Sequence, residues 1–488
     1  MKPRQVVIFV FSVIAGLGLI MLFFPEDGIK ITENFTLHFI TPNELLNDNI
    51  TKIDVDSIIE NQINIDSIDT DMDTASSSNA KSMNIEELKE LINRIEFPNG
   101  DSTLLWSFFE KLDNIDNLGK VRIIHYGDSQ IEGDRITSFV RYKLQNKFGG
   151  QGYGLNTVGK LYAQFSMIQE NSNNWERYTS YMNINESVKH QNYGAMMAFS
   201  RFTPIRDSLE PISETKTTAW IEFTESNLSY KNTRQFKQVK IYYGNSIVPT
   251  YVTASINDSI VLQDTMIVDT GLNVLSYYSS DYVNNIKFQF ESYESPDFYG
   301  ISFEDENGLL IDNIGLRGAS GTIFNNINSD LLSEMYDMLN VDLFILQFGG
   351  NAMPYLETEE QVENHGIYFY HHLLLLKKLR PNAQILVIGP SDMATKIKAK
   401  YVTYPLLEKL IEELKSASFK AGGAYWDMYS AMGGKNSMRA WVATDPPLAS
   451  TDHTHFTPIG AQVIANMFYN ALILEYKQYQ TYKTDTIN

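Results

Sequence analysis

Cysteine is missing altogether from this 488-residue chain. Disulfides, a thiol nucleophile, cysteine-built zinc sites and the acylated cysteine of a bacterial lipoprotein are all excluded. Cations are also in short supply, 39 Lys and Arg against 59 Asp and Glu, for a formal net charge of -20. Phosphate polymers and anionic membrane surfaces bind through basic patches, so nucleic acid is not an expected partner. What is present is the 43% hydrophobic and 12% aromatic content of a globular protein, with 28 Tyr divided in some proportion between cores and exposed, sugar-compatible surface. The length exceeds what one core usually organises, which predicts two folded units and connecting segments.

Residues 6–24 carry no charge and follow Lys2 and Arg4. At helical rise they span roughly 28 Å, enough to cross a bilayer core. Phe23-Phe24-Pro25-Glu26 replaces the small residues of a cleavage site, so an uncleaved signal anchor is preferred to a cleaved signal. The basic flank stays in the cytoplasm and the remainder lies outside: in a bacterium, the cell envelope, with the chain held at the inner membrane facing the periplasm, or secreted if the signal is cleaved. The anchor is placed at 1–27. From 28 to 83 a short strand (Thr36 to Ile40) precedes a segment rich in Asp, Asn, Ser and Ile, including Ser76-Ser77-Ser78-Asn79, read as a flexible spacer.

Helical periodicity returns over Ile85 to Ile95 and Leu104 to Leu112. The apolar runs Val121 to Ile124, Leu343 to Gly349 and Ile385 to Pro390 predict buried parallel strands, alternating with helices at Glu357 to Leu379 and Pro405 to Lys420. A short strand at Ala424 to Met428 follows, then a last helix opened by Thr457-Pro458. This is the grammar of a doubly wound α/β sheet, in two pieces at 84–154 and 309–480. Between them, 155–308 is written in short alternating runs such as Ala219 to Phe223 and Asn285 to Phe290, which predicts an inserted β-sandwich. The insert either binds sugars or merely gives shape.

Ser129 follows the strand ending in Gly127-Asp128, and a serine there is most simply a helix cap. Asp452 and His455 give it a chemical alternative, because a carboxylate three residues before a histidine can orient the imidazole from one loop. Gly318 offers an open backbone N–H, and Asn351 follows a predicted strand with an amide able to reach the same crevice. His125, Asp452, His453 and His455 lack zinc-motif spacing, so no metal is expected. His371 and His372 sit in an apolar helix as packing or surface residues. Ser320 follows no comparable strand, and Gly149 to Gly154 follow a helix, so a turn into the insert explains them better than a dinucleotide loop.

Gly127-Asp128-Ser129, the loop at Gly318, Gly350-Asn351 and Asp452-x-x-His455 occur in the order of the four blocks of the SGNH (GDSL-type) hydrolases, which the chain resembles; Gly133 also fits the first block. The resemblance covers Val121 to about Gly154 and Leu310 to about Tyr476. It implies a three-layer α/β/α (flavodoxin-like) fold with a parallel sheet, and esterase activity without metal or cofactor. Ser129 would be nucleophile, His455 base, Asp452 its partner, and the Ser129 N–H, Gly318 and Asn351 the oxyanion donors. The insert looks like the jelly-roll module that interrupts peptidoglycan O-acetylesterases of this superfamily. Ala352 stands where many relatives have Asp, and Gln130 where Leu is common. Gln130, Gly350 and His453 are the expected substrate-binding residues, with His453 at the pocket rim or structural. Ile131 rules out the Gly-x-Ser-x-Gly elbow. The expectation is an exported esterase removing O-acetyl groups from an envelope or extracellular polysaccharide, peptidoglycan among the candidates. Acetyl transfer by the same triad, or glycan binding without catalysis, are the alternatives.

Overall fold

The computed structural model describes residues 3–487, apart from 26–27, 33–34, 38, 43–52, 61, 63, 70–80, 84, 183, 207–208, 326 and 398–399. Helix α1 (Pro3–Phe23) buries none of its side chains in the protein and is long and apolar enough to cross a membrane. After it, Ile29–Thr32 pairs antiparallel with Phe35–Leu37, so the short strand expected at Thr36 to Ile40 lies slightly earlier. Of the expected spacer, the Ser76 to Asn79 run lies outside the described residues. Its described part is docked: helix α2 (Val55–Glu60) and a turn at Ile65–Ser67 bury Val55 and Ile65. The Tyr469 hydroxyl donates to Asp66 at 2.6 Å. The reason is the apolar set Ile53, Val55, Ile59 and Ile65, which gives this otherwise polar stretch one face to bury.

The central sheet is built from β1 (Ile95–Glu96), β2 (Lys120–Gly127) and four later strands, with α3 (Trp106–Asp113) between the first two and α4 (Thr137–Phe148) after the second. Ile95 had been assigned to a helix, but the helix spans only Ile85–Leu91 and Ile95 pairs across the sheet with Trp426. Besides a short strand Gly154–Asn156 that pairs with the last of them, the described residues of the insert form β3 (Met167–Asn171), β4 (Glu176–Thr179), β5 (Ala198–Arg201), β6 (Thr217–Glu225) and β7 (Phe236–Gly244), then β8 (Thr250–Ile256), β9 (Ser259–Met266), β10 (Asn273–Val283), β11 (Asn285–Ser292) and β12 (Asp297–Glu304). The chain then returns with β13 (Gly308–Gly315), α5 (Ser329–Leu339), β14 (Val341–Gln347), α6 (Glu359–Leu379), β15 (Gln384–Ile388), α7 (Leu407–Lys420), β16 (Ala424–Trp426) and α8 (Pro458–Ile487).

The sheet order is β13-β2-β14-β15-β16-β1, parallel except for the edge strand β1. Alternate residues of β2 enter two cores. Ile124 and Tyr126 pack with α5, α6 and α7, whereas Val121 and Ile123 pack with α3, α4 and α8. Three layers result, as expected, because a parallel strand with apolar side chains on both faces must be covered on both.

The insert is two antiparallel sheets, β10-β7-β12-β5-β4 and β9-β8-β11-β6-β3, so most strands of the molecule are antiparallel. Ile221, Phe223, Val252, Phe288, Ile301 and Phe303 fill the space between them. The outer face of the first sheet is covered in part by the α/β layer, while its edge strand β10 stays exposed at Val274 and Tyr278. Phe199, Tyr242 and Tyr299 join the core of the α/β layer, and the Tyr126 hydroxyl donates to Ala195 O at 2.7 Å. Where the chain leaves and re-enters, Gly150 (φ 103°) and Gly308 (φ 102°) cross so closely that a Cβ on Gly308 would sit 2.3 Å from Gly150 backbone. Only glycine meets both demands.

Candidate active site

Counted along the chain, the parallel strands lie in the order 2-1-3-4-5, and the winding reverses between β2 and β14. Ligands of such sheets bind outside the carboxyl ends at that reversal. Ser129 follows β2 there, and Gly350 and Asn351 follow β14. The turn after β2 is tied on both sides. Asp128 N–H donates to Gln347 O at 3.3 Å, and Asp128 Oδ1 accepts the Gln130 N–H at 2.9 Å. This Asx turn projects Ser129 out of the sheet edge. Burial pushes the Asp128 carboxyl up to about 6, against the Gln130 N–H and the nearby His455, which favour its charged form.

Ser129 Oγ lies 2.8 Å from His455 Nε2, and His455 Nδ1 lies 2.8 Å from Asp452 Oδ2. A carboxylate only accepts, so Nδ1 carries the proton and Nε2 is free to accept from the serine hydroxyl. The other Asp452 oxygen accepts the N–H groups of Thr454 and His455, both at 3.0 Å. Burial alone would raise the Asp452 carboxyl, but the hydrogen bonds from the His455 ring and those two amides outweigh it and hold it below the usual range. The loop is closed by Ser450 N–H on His455 O at 2.8 Å, and Thr457 caps α8 through Gly460 N–H at 3.2 Å. The arrangement can move a proton from Oγ to Nε2 while Asp452 compensates the imidazolium.

Two backbone N–H groups belong to the turn of Ser129 and to the Gly318 loop tied to Asn351. Among the described residues neither the Ser129 nor the Gly318 N–H is taken by another group. Gly318 has φ 78°, a backbone conformation that favours glycine. Asn351 Nδ2 donates to Ala319 O at 3.2 Å, which ties the amide to the Gly318 loop. That loop is further held by Arg317, paired with buried Glu132; Arg317 Nε donates to Oε2 at 2.6 Å. Arg135 donates to the carbonyls of Ser129 and Glu132, bracing the nucleophile turn from behind.

A small pocket of about 340 Å³, its open mouth included, is lined by Ser129, Gln130, Gly350, Asn351, Phe348 and Met393, among others. Gln130 and Gly350, the expected substrate-binding residues, thus both line the pocket. Gln130 does more than border the pocket, because its Nε2 donates to Thr454 O at 2.6 Å and so ties the histidine loop to the serine turn. His453, expected at the pocket rim or in a structural role, is buried outside the pocket lining, its ring stacked on Tyr401 at 3.8 Å. A φ of 55° turns it away from its neighbour His455. Ser320 pairs with Thr322 at 3.1 Å, and His125 is buried against Thr137 at 3.0 Å, its ring pushed down to about 3 by burial. His372 is buried and His371 exposed. Sequence reasoning passed over Arg135, Glu132 and Gln347. The first two stand within six residues of Ser129, and Gln347 lies in a predicted strand three residues before Gly350, so proximity to the motifs was the available signal.

No family model matches the sequence, and a search of curated proteins returns no match. Solved structures do match. A peptidoglycan O-acetylesterase is 18% identical over 76% of this chain and 96% of its own, with a TM-score of 0.60. A family two carbohydrate esterase from Clostridium thermocellum, in complex with cellohexaose, is 9% identical over 59% of this chain and 99% of its own, at 0.23. A putative GDSL-like lipase from Parabacteroides merdae is 21% identical over 34% of this chain and 74% of its own, at 0.25. The first of these likenesses shows a shared fold.

Proposed function

We propose that this chain is a serine esterase that removes O-acetyl groups from a polysaccharide of the cell envelope or its surroundings, held at the membrane by α1. The observation that carries the reading is the Ser129–His455–Asp452 hydrogen-bond chain, 2.8 Å at each link. Nε2 of His455 takes the Ser129 proton as Oγ bonds to the acetyl carbonyl carbon. The developing oxyanion is met by the N–H groups of Ser129 and Gly318 and by the second Asn351 hydrogen. The sugar oxygen leaves with the proton from His455, and the acetyl group stays on Ser129. Water attacks next, passing its proton to His455 and then to Oγ, and acetate departs.

The small pocket fits a short acyl group, and the shared fold with a peptidoglycan O-acetylesterase supports a glycan as the alcohol side. We also assign the insert a jelly-roll topology. Numbering β5 to β12 from one to eight, its sheets read 6-3-8-1 and 5-4-7-2, the interleaved order of two Greek keys. The test is acetate release from O-acetylated glycans, peptidoglycan included, by the wild type and Ser129→Ala. Release by the wild type that the variant loses is expected; equal release by both sinks the assignment.

A further inference from the structure

Between β15 and α7 the chain makes a detour, a two-stranded hairpin in which Ala394–Ile397 pairs antiparallel with Lys400–Thr403. It starts at the pocket. Pro390, Ser391 and Met393, which lead into it, line the pocket with Ser129. A lone pair of strands is barely stable in water, so its base has to be fastened. The fastening is a buried carboxylate: Asp392 Oδ1 accepts from Thr403 Oγ1 at 2.7 Å, and Oδ2 accepts the Met438 N–H at 2.8 Å. Tyr404 N–H closes the base on Met393 O at 3.1 Å. Swinging the hairpin away would strand that carboxylate without its donors. Register then decides which side faces the protein. Ala394 and Thr403 stand opposite each other and Lys396 opposite Tyr401, so Tyr401 shares the face of the buried pair.

That face rests on the loop between Asp452 and His455. Ala394 N–H donates to His453 O at 3.0 Å, His453 N–H donates to Ser450 O at 3.0 Å, and the Tyr401 ring lies on the His453 imidazole, 3.8 Å between centres and 23° between planes. His453 has φ 55°. A residue with a side chain holds that left-handed backbone only where its surroundings over-determine it, and such residues gather at functional sites. Here the surroundings are the hairpin. Thr454, next along, is gripped from the other side by Gln130 Nε2, 2.6 Å from its carbonyl oxygen. Outside the grip the loop has little support, since the Asp452 side chain is 51% exposed and that of His455 31%. Neither keeps its pose by burial. His453 does not line the pocket, and no described residue partners its buried Nδ1, so what it contributes to the site is a fixed ring and a fixed backbone.

We infer that the hairpin is a clamp on this loop, with Tyr401 a positioning residue that, through the His453 ring, holds His455 within reach of Ser129 before substrate arrives. The effect on rate rests on the esterase reading; the effect on the loop does not. The test uses the full chain in detergent, with 4-nitrophenyl acetate as substrate and the downfield proton resonance of the His455 Nδ1–H bonded to Asp452, assigned by its loss in Asp452→Asn. Tyr401→Ala should lower kcat about tenfold or more with KM within about twofold, because a small displacement of a reacting group slows chemistry without weakening binding. Tyr401→Phe keeps the stack and should keep the wild-type kcat. His453→Gly accepts the backbone turn but loses the ring, so it should match Tyr401→Ala, and the two changes together should cost no more than either. The resonance should persist in Tyr401→Phe and broaden or vanish in Tyr401→Ala. A wild-type kcat in Tyr401→Ala, additive losses in the double variant, a Tyr401→Phe as slow as Tyr401→Ala, or a resonance that Tyr401→Ala leaves unchanged overturns the clamp. If the wild type hydrolyses no ester, the esterase reading fails alone and the resonance decides the clamp.

Discussion

At the scale of the residue, Asn351 has two amide hydrogens and commits one to Ala319 O at 3.2 Å. In the proposed mechanism the other meets the developing negative charge, so its value is greatest in the transition state. Asn351→Ala is expected to lower kcat for a soluble acetyl ester by about a hundredfold or more with little change in KM, as steady-state kinetics would reveal. A large rise in KM at constant kcat would move Asn351 from the oxyanion to ground-state binding. Ser129, Asp452 and His455 were legible because each motif is local. Gln130 was legible as a polar neighbour, but not as the tie to Thr454, which stands 324 positions away. The spacing left His453 at the pocket rim or in a structural role, because it does not report a backbone turn such as its φ of 55° or the stacking on Tyr401.

At the scale of the element, strands with two apolar faces declared themselves, and α6 was readable to within two residues. Its start moves to Glu359 because Thr358 and Gln361 form a capping box. Ile95 escaped, since an edge strand of two residues owes its form to Trp426 across the sheet. Helix α8 carries an unusual burial. Glu475 is 1% exposed, its nearest ion-pair partner Arg94 is 3.8 Å away, and burial pushes its carboxyl up to about 7. A raised carboxyl makes the folded state bind a proton before the unfolded one, so its penalty is full above the folded value and fades as pH falls toward the unfolded value. Glu475→Gln should therefore stabilise the protein by about 3 kcal/mol near pH 8 and by less than about 1 kcal/mol near pH 5. Urea unfolding of both proteins at the two pH values checks this; a gain that does not depend on pH would place the effect in packing alone.

At the scale of the molecule, the insert is welded to the α/β layer by a buried charge cluster as well as by a shared core. Arg122 of β2 reaches Asp312 of β13 at 3.0 Å and Glu304 of β12, and all three are buried. Breaking such a cluster strands carboxylates in a poor solvent. Arg122→Ala should cost about 3–5 kcal/mol and lower the unfolding of both parts together, followed by circular dichroism and by the fluorescence of Trp220 and Trp175 in the insert. Loss of stability confined to one part would mean that the two fold independently.

Sequence alone determined the residue types that carry the chemistry, the alternation of strands and helices, the inserted β segment and the apolar amino-terminal run. All of these are written over short distances, in periodicity, caps and motif spacing. Tertiary structure alone decided that Ser129 and His455, 326 residues apart, meet at 2.8 Å. It likewise docked Val55 and Ile65 of the expected spacer, turned His453 away from the pocket and left one sheet face of the insert open. Those outcomes depend on strand register and on which faces other elements cover, and both are set by contacts between residues far apart in the chain.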